Sequence, residues 1–322
     1  MLSRTTEAKA PHYAVKIFSH FPASGFSIYV MTISEKINAC AARVESAFAR
    51  YVPAETSRPG LLHRAMNYSL CAGGKRLRPV LLLAAFDVFP SANDPLPAAV
   101  AVECLHTYSL IHDDLPCMDN SDLRRGKPTC HKVFDEPIAL LAGDALLTHA
   151  LTLLADAYAD KPEIAVKLVR TLGDSAGSRK LIGGQVEDML GERGEASAER
   201  LDFIHENKTA ALITAAVEMG FILGSAPEKT QTLAREIGHD IGIAFQIIDD
   251  ILDETSDAKT MGKPVHADLE NRKLTYPRFH GMQKSRERAN ALSERAIETC
   301  RKIGGDTDFL VALIAQMQKR IF

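Results

Sequence analysis

Strand-like alternation is missing from this sequence: nowhere do apolar and polar residues trade places with period two over a useful length, so a fold built on half-buried strands is excluded. There is no C-x-x-C pair either. Six cysteines, Cys40, Cys71, Cys104, Cys117, Cys130 and Cys300, lie scattered, which argues against a disulfide framework or a zinc site and fits reduced thiols in a cytoplasm. Positive charge is not in excess, the formal net charge being -3, so the footprint of a nucleic-acid-binding protein is absent and any cationic site must be local. The longest apolar stretches, "IALLAGDALLTHALTLLA" and "ALITAAVEMGFILGSA", are broken by Asp144 and Glu218 and read as buried helices, with no stable membrane insertion. No repeat, low-complexity tract or Gly/Ser/Pro-rich linker divides the chain.

What the 322 residues do hold is helical periodicity, apolar residues recurring three and four apart between Gly and Pro breaks. It predicts helices near 34–51, 59–72, 75–89, 95–115, 137–158, 162–182, 198–223, 228–254, 276–302 and 307–321, with Ser57 capping the second and no strand anywhere. Several are apolar nearly all round, as helices buried in a large bundle are. The expected organisation is an N-terminal extension over 1–30 followed by one all-α domain over 31–322. The extension, with Arg4, Lys9 and Lys16 against the single acid Glu7, reads either as a transit peptide or as an upstream extension of a chain whose ordered part begins at Met31; the second is expected here.

Charges inside such a bundle are costly unless paired or metal-bound, so they are the informative residues. In "FQIIDDILD", Asp249 and Asp253 fall about 40° apart on a helix, with Asp250 one step round and Gln246 a turn earlier. In "DDLPCMD", Asp113 and Asp119 would be about 120° apart on an unbroken helix. Pro116 is expected to end the helix and let Asp119 fold back toward Asp113 and Asp114. One acidic run alone is as well explained by a solvated helix face. Two embedded in apolar helices, without a Cys or His ligand pattern, favour a hard cation, and Mg²⁺ binds through one or two carboxylates together with substrate phosphates. The fixed cations such phosphates need are present in "GGKRLRP" (Lys75, Arg76, Arg78), "DLRRGKP" (Arg124, Arg125, Lys127), "ENKTA" (Lys208, Thr209), "MGKP" (Lys263) and "RKLTYP" (Lys273).

Taken in order, "GGKRLRP", "ECLHTYSLIHDDLPCMDNSDLRRGKPTCH", "LAGDALL", "GGQVEDM", "HENKTAAL", "FQIIDDILD" and "KLTYP" resemble the trans-isoprenyl diphosphate synthase family from about residue 35 to the C-terminus, most nearly its bacterial short-chain, farnesyl-forming branch. The resemblance implies an all-α bundle of ten or more helices around a deep central cavity, usually a homodimer. It further implies head-to-tail condensation of isopentenyl diphosphate with an allylic diphosphate, assisted by three Mg²⁺ ions bound with the diphosphate. Asp113, Asp114, Asp119, Asp249, Asp250 and Asp253 would then be metal ligands. Lys75, Arg78, His106 and Arg125 would hold isopentenyl diphosphate, and Arg124, Lys208, Thr209, Gln246, Lys263 and Lys273 would serve the allylic diphosphate and the developing charge. The chain departs from the family at Arg272 and His266, each where a Gly is common. Helical spacing independently puts His106 about 20° from Asp113.

Product length in the family is set by the positions four and five residues before the first aspartate, here Ser109 and Tyr108. An aromatic at the latter implies farnesyl diphosphate, with geranylgeranyl diphosphate the alternative. Spacing alone places Ser109 beneath Asp113 but leaves Tyr108 about 140° round. The rivals are a terpene cyclase, which has no second diphosphate to hold and no need of "GGKRLRP", and a non-catalytic subunit, in which one aspartate cluster would be expected to have eroded.

Overall fold

The computed structural model describes residues 31–194, 196–255 and 274–319. Lys263, His266, Arg272, Lys273 and the segment 1–30 lie outside the described residues.

The architecture is all-α. Helix α1 (Ile33–Tyr51) starts in a capping box, the Glu35 amide donating to the Thr32 hydroxyl and the Thr32 amide to the Glu35 carboxylate. Helices α2 (Gly60–Leu70), α3 (Leu77–Phe86) and α4 (Leu96–Asp113) follow. After a two-stranded hairpin come α5 (Cys130–Phe134), α6 (Glu136–Ala157), α7 (Pro162–Ala176), α8 (Leu181–Glu192) and α9 (Ala198–Ile204). A π-helical turn (His205–Ala210) then leads into α10 (Ala211–Leu223), followed by α11 (Glu228–Thr255), α12 (Tyr276–His280), α13 (Met282–Ile303) and α14 (Asp308–Gln318).

Helices α3, α4 and α10, whose apolar residues run round the whole circumference, are buried on nearly all sides and form the middle of the bundle. Helix α6 lies along α4, and α11 is sandwiched between α10 and α13. Between α11 and α13 a separate small core gathers Ala244, Ile247, Ile248, Ile251, Ala289 and Leu292, and it backs the face that carries the second aspartate cluster.

Four expectations are corrected. The helix expected over 162–182 is two, because the chain breaks at Gly177, and the second of them, α8, runs on to Glu192. The helix expected over 276–302 is broken at Gly281. Ser57 makes no cap: α2 begins after Pro59 without a side-chain hydrogen bond. Finally there is one strand pair among the described residues, Leu123–Arg124 with Lys127–Pro128, antiparallel with Arg124 opposite Lys127. Its turn residues Arg125 and Gly126 both take positive φ, 54° and 75°, the requirement of a tight type I′ hairpin, and strands of two residues are too short to show a period.

Candidate active site

Helix α4 ends at Asp113, with Asp114 as its C-cap and Pro116 unable to continue it. The chain folds back: the Asp119 amide donates to the Asp113 carbonyl at 2.9 Å, and the Ser121 amide to that of Asp114 at 3.2 Å. Asp113 and Asp119 therefore line one cavity of about 280 Å³, and Asp249 and Asp250 of α11 line it too, with Arg124, Asp188, His205, Lys208, Thr209 and Gln246 between. The two clusters share one space.

The neighbouring aspartates behave differently. Asp114 is buried, and the guanidinium of Arg124 clamps it, Nε at 2.8 Å and Nη2 at 2.7 Å. Burial pushes the Asp114 carboxyl up from its ordinary range, against the pull of Arg124. Asp114 faces a pocket of only about 30 Å³, away from the shared cavity. Asp253 is buried a turn beyond Asp249 and lines neither that cavity nor the apolar one described below. Asp250 accepts from Gln246 Nε2 at 2.7 Å and from the Tyr276 amide at 2.8 Å, and His205 Nε2 lies 3.1 Å away.

The π-helical turn, a feature often found at functional sites, carries Lys208 and Thr209. Lys208 Nζ donates to Asp188 at 2.6 Å, and Thr209 Oγ1 to Gln246 Oε1 at 2.6 Å. Gly184 of "GGQVEDM" makes this possible: a Cβ there would stand 2.4 Å from the Lys208 backbone nitrogen, so only glycine lets α8 pack directly on the turn.

Leu110, Asp113, Lys208 and Thr209 also line a second cavity, of about 480 Å³ and mostly apolar. Tyr108, Ser109 and His112 of α4 enclose it together with Leu181, Ile182, Gln185, Val186 and Met189 of α8. Tyr108 and His112 meet edge to face, ring centres 5.6 Å apart, and the Tyr108 hydroxyl is buried without a hydrogen-bond partner among the described residues. Burial, reinforced by Asp113, pushes the Tyr108 phenol up to about 12.

Of the basic set, Arg78 Nη1 donates to His106 Nε2 at 3.3 Å, and both side chains line the apolar cavity at its Asp113 side. Burial and then Arg78, Arg125, Arg124 and Arg76 hold the His106 imidazole well below its ordinary range. Arg76 is structural: buried at the start of α3, it donates to Glu45, to Glu103 and to the Leu70 carbonyl, tying four helices together. Arg125 reaches the Gly73 carbonyl, and Lys75 stands exposed ahead of α3.

The pattern of the Polyprenyl synthetase family matches residues 59–309. The chain belongs to this family, the trans-isoprenyl diphosphate synthases. Among curated relatives it is 45% identical over 297 residues to the heterodimeric geranylgeranyl pyrophosphate synthase large subunit 1 of Arabidopsis thaliana, covering 90% of this chain and 77% of the relative. To the farnesyl diphosphate synthase of Bacillus subtilis it is 46% identical over 250 residues, covering 77% and 83%. Among solved structures it superposes on an FPP/GFPP synthase from Zymomonas mobilis with a TM-score of 0.79 at 33% identity, covering 88% and 98%. The geranyltransferase of Helicobacter pylori, solved with magnesium and isoprenyl diphosphate, gives 0.78 at 33%, covering 92% and 99%. The chain is thus a prenyltransferase of prenyl chain elongation.

For such a synthase the donor set around the shared cavity suits Mg²⁺. Asp113 and Asp119 of the first cluster and Asp249 of the second supply hard oxygen ligands. Among the described residues no three carboxylate, His or Cys groups stand close enough to hold an ion by themselves. That fits a cation completed by phosphate and water oxygens rather than by a protein cage. Sequence reasoning gave no role to α8, whose apolar face walls the synthase's second cavity, nor to Asp188 and His205. The signal for Asp188 was there, an acid interrupting an apolar run.

Proposed function

We propose that this chain condenses isopentenyl diphosphate with dimethylallyl and geranyl diphosphates to make farnesyl diphosphate. One observation carries the reading: the carboxylate-lined cavity and the apolar cavity meet at Leu110, Asp113, Lys208 and Thr209, so a diphosphate and its prenyl tail have adjoining compartments of opposite character. Asp113 and Asp119 on one wall and Asp249 on the other are the carboxylates placed to hold Mg²⁺, up to three ions with the diphosphate. Mg²⁺ held there would supply the charge withdrawal that eases departure of the diphosphate. Lys208 and Arg124 add fixed positive charge beside that diphosphate, and Thr209 and Gln246 present oxygens where the allylic cation develops. Arg78 and His106 face the position from which the double bond of isopentenyl diphosphate attacks, with Lys75 and Arg125 at the surface and Lys263 and Lys273 outside the described residues. Tyr108 closes the tail compartment.

The equally close geranylgeranyl-forming relative supports a second reading, that the product is geranylgeranyl diphosphate. The exposed apolar stripe of α6, with Leu140 and Leu141 about half exposed, fits a homodimer contact, for which sedimentation velocity is the test. The activity itself is tested with purified protein, isopentenyl diphosphate and geranyl diphosphate. Inorganic diphosphate should appear only when Mg²⁺ and both substrates are present, and release without isopentenyl diphosphate would favour a cyclase.

A further inference from the structure

We infer that His205 is a positioning residue, acting through Asp250 to fix the direction of a hydrogen-bond chain that ends at Thr209. The inference rests on the reading above, in which positive charge develops beside Thr209.

An ionised carboxylate can only accept, so the group nearest Asp250 Oδ1, Gln246 Nε2 at 2.7 Å, is a donor and the orientation of the Gln246 amide follows. Its Oε1 must then be the acceptor for Thr209 Oγ1 at 2.6 Å. Thr209 gives its proton to Gln246 and keeps its oxygen lone pairs for the junction of the two cavities, both of which it lines. The negative charge of Asp250 is carried by two aligned dipoles to that junction.

His205 is what holds Asp250 from the far side. Its Nε2 lies 3.1 Å from Oδ2, both groups are buried, and Tyr276, whose amide also donates to Oδ2 at 2.8 Å, stacks on the imidazole with ring centres 5.9 Å apart. The other ring nitrogen, Nδ1, is buried without a hydrogen-bond partner among the described residues. Leaving a buried ring nitrogen so is costly, and the polar group against which the ring is held is the Asp250 carboxylate. Asp250 thus accepts two protein hydrogen bonds, from Gln246 and from the Tyr276 amide, with the His205 imidazole set against its Oδ2.

The test separates positioning from metal binding. His205→Phe, which keeps a ring but no donor, and Asp250→Asn, which lets the Gln246 amide turn over, should each lower kcat by about 10- to 100-fold, the factor a charge-assisted hydrogen bond is typically worth. The KM for geranyl diphosphate and the calorimetric affinity for Mg²⁺ with inorganic diphosphate should stay within about threefold. His205→Gln, whose amide can replace the ring donor, should recover most of kcat. Unchanged kcat in His205→Phe, or in Asp250→Asn should His205→Phe not fold, overturns the inference. So does a loss in Asp250→Asn that appears in Mg²⁺–diphosphate affinity. A wild type that binds Mg²⁺ and diphosphate but condenses nothing would instead overturn the reading on which it rests.

Discussion

The Asp119 amide donates to the Asp113 carbonyl at 2.9 Å, and through that bond six residues of chain return on themselves so that both carboxylates face Asp249 across one cavity. The hydrogen bond is backbone to backbone, so the geometry of the first cluster is set by the turn after Pro116 and not by the aspartate side chains.

Replacing either wall should therefore abolish turnover without unfolding the chain. Asp113→Ala and Asp249→Ala are expected to lower kcat/KM by about 10³-fold or more, since charge stabilised only in the transition state is lost. Steady-state kinetics with a melting curve for each variant checks this, and near-normal turnover in either would contradict the two-walled site.

Tyr108 lines the apolar cavity and is proposed as the floor of the tail compartment, and an open compartment would go on gaining about 0.8 kcal/mol for each further CH₂ buried. Tyr108→Ala should shift the products toward geranylgeranyl diphosphate. Chromatography of the dephosphorylated products reads the shift, and an unaltered distribution would remove Tyr108 from that role.

Gly184 is predicted to matter through backbone contact alone. In Gly184→Ala the new methyl meets the Lys208 backbone at 2.4 Å, so the π-helical turn must move. The expected cost is about 1–3 kcal/mol of stability from overpacking, with a loss of kcat as Lys208 and Thr209 are displaced. Denaturant unfolding and kinetics on the same preparation measure both, and a variant unchanged in both would show that the close approach is dispensable.

His106 gives a pH dependence with a definite sign. Burial and four guanidinium groups keep it unprotonated in the folded chain, whereas the unfolded chain binds a proton below about 6.5. Its contribution to stability is complete above that pH and is lost as the pH falls through it, by about 1.4 kcal/mol per unit. His106→Gln should show a shallower decline between about pH 6.5 and 5.5 in urea unfolding. An identical slope in both proteins would mean that the folded chain admits the proton.

The helices were legible because burial imposes their period, and the fold-back of Asp119 because Pro116 forbids a continuing helix. What escaped were relationships set by tertiary contact. Nothing local marks Asp114 as the partner of Arg124, since that pair depends on a hairpin of two-residue strands. Spacing turned Tyr108 away from Asp113, yet residues 108, 109, 112 and 113 all line the apolar cavity. The cavity covers a stripe two residues wide, with 108 and 112 on one edge and 109 and 113 on the other. The wall supplied by α8 was hidden because the stop at Gly177 was read through as one helix.

The most direct measurement is a product analysis with Mg²⁺, isopentenyl diphosphate and, separately, dimethylallyl, geranyl and farnesyl diphosphates. Farnesyl diphosphate as the end point from both shorter starters, with farnesyl diphosphate itself left unextended, is the result expected of two adjoining compartments closed by Tyr108. Extension of farnesyl diphosphate would contradict the closed floor, and no condensation from any starter would contradict the assignment of the site.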